Sequence, residues 1–71
     1  MTEDELEFAV FCIESVAHHQ GCDAVAVYDA LVQSGVLQEY IVPCYDALHT
    51  QGKEYIVADI LDVLRDRGVA L

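Results

Sequence analysis

Between Tyr28 and Val57 the chain carries one pattern twice. Tyr28-Asp29-Ala30-Leu31 returns as Tyr45-Asp46-Ala47-Leu48. Gly35 stands seven residues after Tyr28, and Gly52 seven residues after Tyr45. Glu39-Tyr40-Ile41-Val42 then returns as Glu54-Tyr55-Ile56-Val57, with two residues fewer between glycine and glutamate. Each copy reads as the end of a helix, a glycine stop and the opening of another helix, because glycine takes the left-handed helix-ending conformation without strain. A single 71-residue domain organised by two such corners is expected to be all-α, a compact bundle of four short helices joined by Gly and Pro corners. The near-repeat is equally the trace of a duplication or the convergence of two capped corners. A solenoid would need three or more units.

The four helices follow from caps and periodicity. Thr2-Glu3-Asp4-Glu5 is a capping box opening the first helix, and its acidic first turn suits the positive end of the helix dipole. Leu6, Val10, Ile13 and Ala17 recur at helical spacing with Ala9 and Val16 beside them, and Phe8, Phe11 and Cys12 widen the stripe. Only Glu7, Glu14, Ser15 and His18 are left for water, so this helix is expected at the centre of the core and at an interface. It ends near His19 or Gln20, with Gly21 as the cap. Asp23 caps a second, largely apolar helix that stops at Ser34-Gly35. Val36 to Val42 reads as one helical turn over about 36–40 or as an extended piece at Tyr40-Ile41-Val42, since Pro43 disfavours helix at Val42. A third helix is expected to begin at Pro43 and to stop before Gly52. The fourth, Lys53 to Arg67, has the clearest amphipathic pattern, with Ile56, Val57, Ile60, Leu61, Val63 and Leu64 turned inward.

Charge removes several functions. Thirteen acidic against three basic side chains give a formal net charge of −10. Phosphate backbones and anionic membrane surfaces need clustered Lys and Arg, so neither nucleic acid nor membrane is an expected partner. A helix-turn-helix reader fails for the same reason, because the third helix offers Asp46, His49, Thr50 and Gln51 and no cation. No apolar run approaches the length of a membrane span. The acidic start stands where a secretory leader would be basic, so the expectation is a cytoplasmic protein with reduced thiols.

The chemistry-bearing residues are sparse. A zinc site would draw on His18, His19, Cys22, Cys44 and His49, but there is neither a CxxC nor an HxxxH pair. A cysteine nucleophile would be Cys44 with His49, yet five positions along one helix turn the two roughly 140° apart. No glycine-rich phosphate loop exists. The expectation is therefore no enzyme, no cofactor and no metal. What remains is protein binding. All four tyrosines, Tyr28, Tyr40, Tyr45 and Tyr55, lie in the doubled stretch, and tyrosine supplies large contact area with a hydrogen bond at low entropy cost. With 55% apolar residues and little interior, such a chain is expected to show an apolar face to a partner or to a second copy. The candidate interaction residues are Phe8, Phe11, Tyr40, Tyr45, His49, Thr50 and Tyr55.

Leu37 to Val42, Tyr45-Asp46-Ala47-Leu48-His49-Thr50-Gln51-Gly52 and Glu54-Tyr55-Ile56-Val57 with Asp59 resemble the signature of a family of short bacterial proteins classed as a domain of unknown function. Glu5-Leu6-Glu7-Phe8 leading to Cys12-Ile13-Glu14 is similar too. The resemblance carries no activity. It implies a bacterial protein with an antitoxin-like role, or one accessory to a toxin or defence enzyme. The motif falls on Tyr45, His49, Thr50 and Gly52. The function expected is a small cytosolic interaction module in a homodimer or heteromer, its acidic field favouring a basic partner. The alternatives are a Cys/His thiol or metal site and an acidic mimic of nucleic acid.

Overall fold

The computed structural model describes all residues, 1–71. It is all-helical. Helix α1 spans Glu3–Gln20, α2 Ala24–Gln33, a π-helical turn Leu37–Ile41, α3 Tyr45–Leu48 and α4 Lys53–Asp66. Helix α1 packs against both α2 and α4, and α2 against the π-helical turn.

The caps expected at the first two corners are present. The Thr2 hydroxyl accepts from the Glu5 amide at 3.1 Å, and the Glu5 carboxylate accepts from the Thr2 amide at 2.8 Å. Gly21 closes α1 at φ 65°, and the Asp23 side chain accepts from the Val25 amide to open α2. Gly35 follows α2 at φ 81°.

Helix α1 lies between its neighbours with Phe8, Ala9, Cys12, Val16 and Ala17 buried. Val27 and Leu31 from α2, Val36, Leu37 and Ile41 from the next segment, Leu48, and Ile56, Val57, Ile60 and Leu64 from α4 complete the core. The buried stripe of α1 is rotated from the one expected. Leu6 and Val10 are 54% and 43% exposed, whereas Phe8 and Cys12 are inside and Ser15 is buried. A helix apolar nearly all round leaves the choice of face to its neighbours, and α1 packs against both α2 and α4.

The four-helix layout needs correction in the middle. No third helix runs from Pro43 to Gly52; α3 is one turn, and only three helices exceed a turn or two. The helical turn expected over about 36–40 is present at Leu37–Ile41, with π spacing, and Tyr40-Ile41-Val42 is not extended. Val42 stays in the right-handed helical region (φ −68°, ψ −51°) despite the following proline, and its amide donates to the Leu37 carbonyl five residues back. The proline ring at position 43 would meet the Glu39 carbonyl of a regular helix and gives it no donor; widening to the π spacing relieves that contact. The Cys44 amide resumes on the Tyr40 carbonyl at 3.0 Å, so the chain passes through Pro43 without breaking.

Candidate functional site

The doubled pattern places its leucines and isoleucines alike and its tyrosines differently. Leu31 and Leu48 are both buried, as are Ile41 and Ile56. Tyr28 and Tyr55 are 48% and 56% exposed, while Tyr40 and Tyr45 are half-buried.

Four of the seven candidate residues come together. Phe11 and Phe8 lie one turn apart on α1, with ring centroids 6.3 Å apart. Phe8 meets Tyr45 of α3 edge to face at 5.5 Å. Tyr45 stacks on His49 at 4.3 Å with planes 4° apart. The result is a row of four rings crossing from α1 to α3, with Phe8 buried within it, Tyr45 half-buried, and its two ends, Phe11 (41%) and His49, exposed. The Phe11–Phe8 and Phe8–Tyr45 contacts lie within the range of favourable aromatic pairing, and the Tyr45–His49 stack is closer still. The His49 Nδ1 lies 2.7 Å from the Tyr45 carbonyl oxygen, which can only accept, so Nδ1 carries the proton and Nε2 is left for water or a partner.

The row has an acidic rim. The Tyr45 hydroxyl is pushed above its ordinary pKa, first by desolvation and then by the carboxylates of Asp4, Asp46, Glu5 and Glu7. These acids come from the first turns of α1 and from α3, so both helices that build the row also bring negative charge to the Tyr45 end of it.

The other three candidates lie apart from the row. Tyr40 donates its hydroxyl proton to the Asp59 carboxylate, tying the π-helical turn to α4. That bond, with lesser help from burial and from the nearby Asp59 charge, pushes the Tyr40 phenol well above its ordinary range. Tyr40 is thus a structural clamp. Tyr55 lies near enough to add slightly to that shift, and is otherwise exposed. The Thr50 hydroxyl donates to the Ala47 carbonyl at 3.2 Å and finishes α3. Gly52 is not the left-handed stop expected of it; it is the extended N-cap of α4, at φ −71° and ψ 157°.

A second feature was not visible in the sequence. A groove of about 650 Å³ runs between the C-terminal half of α1 and α4, past Ser15, His18, His19, Lys53, Val57 and Arg65. Two of the three strong cations and two of the three histidines of the chain line it, together with the carboxylates of Glu54 and Asp62. Arg65 pairs with Asp62 at 2.6 Å, and Arg67 pairs with Glu39 at 3.0 Å. Lys53 has no ion-pair partner within the chain. Their clustering depends on α1 and α4 lying side by side, which no local spacing reveals.

The residues considered for metal or thiol chemistry stay scattered. No three His, Cys, Asp or Glu side chains are grouped to hold a metal ion. The three thiols are free, and burial pushes that of Cys12 up to about 12. No helix is long and apolar enough to cross a membrane.

Residues 7–67 match a protein family described as Protein of unknown function (DUF3791). No curated protein and no solved structure matches the chain.

Proposed function

We propose that this chain, which belongs to the DUF3791 family by a match over residues 7–67, is a protein-interaction module that docks a partner on the aromatic face of α1 and α3. The observation that carries the reading is the row Phe11–Phe8–Tyr45–His49 inside its rim of Asp4, Glu5, Glu7 and Asp46. An exposed ring anchored on buried ones is a rigid contact that loses little entropy on binding, and a ring of carboxylates selects a partner with positive charge around its apolar contact. The face is preformed: Phe8 is held by the core and Tyr45 by its stack on His49. In the setting that the family resemblance implies, the module works in the bacterial cytoplasm as an antitoxin-like protein or as an accessory to a toxin or defence enzyme.

The thiol and metal alternative draws no support from the separation of the Cys and His side chains. The nucleic-acid mimic is weakened because Glu39, Asp59 and Asp62 are engaged with Arg67, Tyr40 and Arg65 and are not free acids. The test is purification of the chain from its native source without denaturant, beside its Phe11→Asp variant. The reading expects an assembly with the native chain that the folded variant loses. An assembly retained by the variant, or none with either, overturns it.

A further inference from the structure

The groove between α1 and α4 lies outside the aromatic row, and one of the groups lining it is a buried hydroxyl without a partner. Ser15 is 5% exposed and its hydroxyl makes no hydrogen bond within the chain. No sealed polar atom is left unbonded, so what surface this hydroxyl keeps opens here. Ser15 lines both the groove and the small hollow that shares His18 and Lys53 with it. Helix α4 begins at the same place. Gly52 offers no side-chain cap, and the first amide of the helix to find an acceptor is that of Ile56, on the Gly52 carbonyl. The amides of Lys53, Glu54 and Tyr55 are therefore free donors at the positive end of the helix dipole. The side chains around them carry both signs. Lys53 has no ion-pair partner, and neither has Glu14 or Glu54, whereas Asp62 and Arg65 satisfy one another. Val57, Ala58 and Leu61 supply the apolar part of the lining.

We propose that this groove binds a small dipolar molecule with an apolar body, of the class of a free aliphatic α-amino acid. A purely anionic ligand would meet Glu14 and Glu54, and a purely cationic one would meet Lys53 and the end of α4. A molecule carrying both charges satisfies each set. Its carboxylate takes the free amides of α4, the Lys53 ammonium and the Ser15 hydroxyl, as anions do at helix N-termini. Its ammonium is met by Glu14 and Glu54, and its side chain lies along Val57, Ala58 and Leu61. The groove, at about 650 Å³, has ample room for such a molecule. This site needs neither the aromatic row nor a macromolecular partner, so it stands or falls apart from the docking face.

The experiment is titration of the isotope-labelled full chain with L-leucine, followed through the amide resonances of Ser15, His18 and Lys53. The controls are isocaproate, which is leucine without its ammonium, and isoamylamine, which is leucine without its carboxylate. Leucine should shift these resonances at millimolar concentration. Each control should bind about tenfold more weakly, because each leaves one set of charges unmet. Lys53→Gln should weaken leucine about tenfold, and Ser15→Ala about threefold, as expected for one hydrogen bond. Alanine suits a helix better than serine does, so Ser15→Ala keeps α1 intact, and native helicity is checked for both variants. Equal binding of leucine and both controls overturns the proposal, as does leucine binding that Lys53→Gln leaves unchanged. Shifts confined to Phe11 and Tyr45, or no shift at all, overturn it too, and neither result touches the docking face, which is read from the assembly and its loss in Phe11→Asp.

Discussion

The Tyr45 ring lies flat on the His49 imidazole, one helical turn further on, with centroids 4.3 Å apart and planes 4° apart. Residues four apart stand one above the other on a helix, and here the second also bonds back to the carbonyl of the first. A helix of only four residues would have little reason to persist alone. The stack and that bond hold it, and the edge of Phe8 holds the stack against α1. The short helix α3 is thereby fixed by contacts that also build the aromatic row.

Phe8 and Phe11 should consequently separate stability from binding. Phe8 is 8% exposed, so Phe8→Ala should cost about 3 kcal/mol or more in urea unfolding. Phe11 is 41% exposed, and Phe11→Ala should cost less than about 1 kcal/mol while removing the assembly. Equal stability losses would mean that Phe11 is a core residue and not an anchor.

The Tyr40–Asp59 bond predicts an alkaline limit to stability. The folded phenol titrates above its ordinary value of 10.0, because its proton is shared with Asp59. A group whose folded pKa is raised stabilises the fold fully below the unfolded pKa, and the contribution is lost as pH rises through the folded one. Stability from this bond should be constant from neutral pH to about 9 and should decline above about 10. Tyr40→Phe should remove about 1 kcal/mol at neutral pH and flatten the alkaline decline. Ultraviolet titration should find Tyr40 the last of the four tyrosines to ionise.

The thiols should react in the order of their burial. Cys12 is fully enclosed and its thiol is raised to about 12, whereas Cys22 and Cys44 are half-buried. Alkylation at pH 8, followed by mass, should modify Cys22 and Cys44 well before Cys12, and all three together in denaturant. Early loss of the Cys12 thiol would show that α1 opens away from its neighbours.

Caps and amphipathic stripes made α1, α2 and α4 legible in the sequence, because those signals are local. Thr2, Gly21 and Asp23 act where their spacing places them. The middle was less legible. Pro43 was read by its usual restriction of the preceding residue, but Val42 remains helical because the π spacing removes the clash at the Glu39 carbonyl. The rotation of α1 was hidden for another reason: Leu6, Val10, Phe8 and Cys12 are all apolar, and only the positions of α2 and α4 choose among them. Aromatic content marked Phe8, Phe11, Tyr45 and His49 one by one. Their union into a row needs the crossing of α1 and α3, as the groove past Lys53 and Arg65 needs that of α1 and α4.

The two glycines of the doubled pattern should answer oppositely to substitution, although the sequence writes them alike. Gly35 has φ 81°, and a Cβ there would lie 2.6 Å from a Glu39 carboxylate oxygen and 3.0 Å from the Arg67 guanidinium. That guanidinium is itself bonded to the Ser34 carbonyl and to Glu39, so it cannot simply withdraw. Gly35→Ala should cost about 1–3 kcal/mol, from the left-handed backbone and the disturbed ion pair together. Gly52 has φ −71°, open space around its α-carbon and no side chain to cap α4. Gly52→Ser should supply the missing acceptor and stabilise the fold by a few tenths of a kcal/mol. Thermal unfolding of both variants against the native chain measures the difference. A loss at both positions would mean that Gly52 is needed for a conformation other than the extended cap, and would bring the two halves of the pattern closer in structure than their backbones now are.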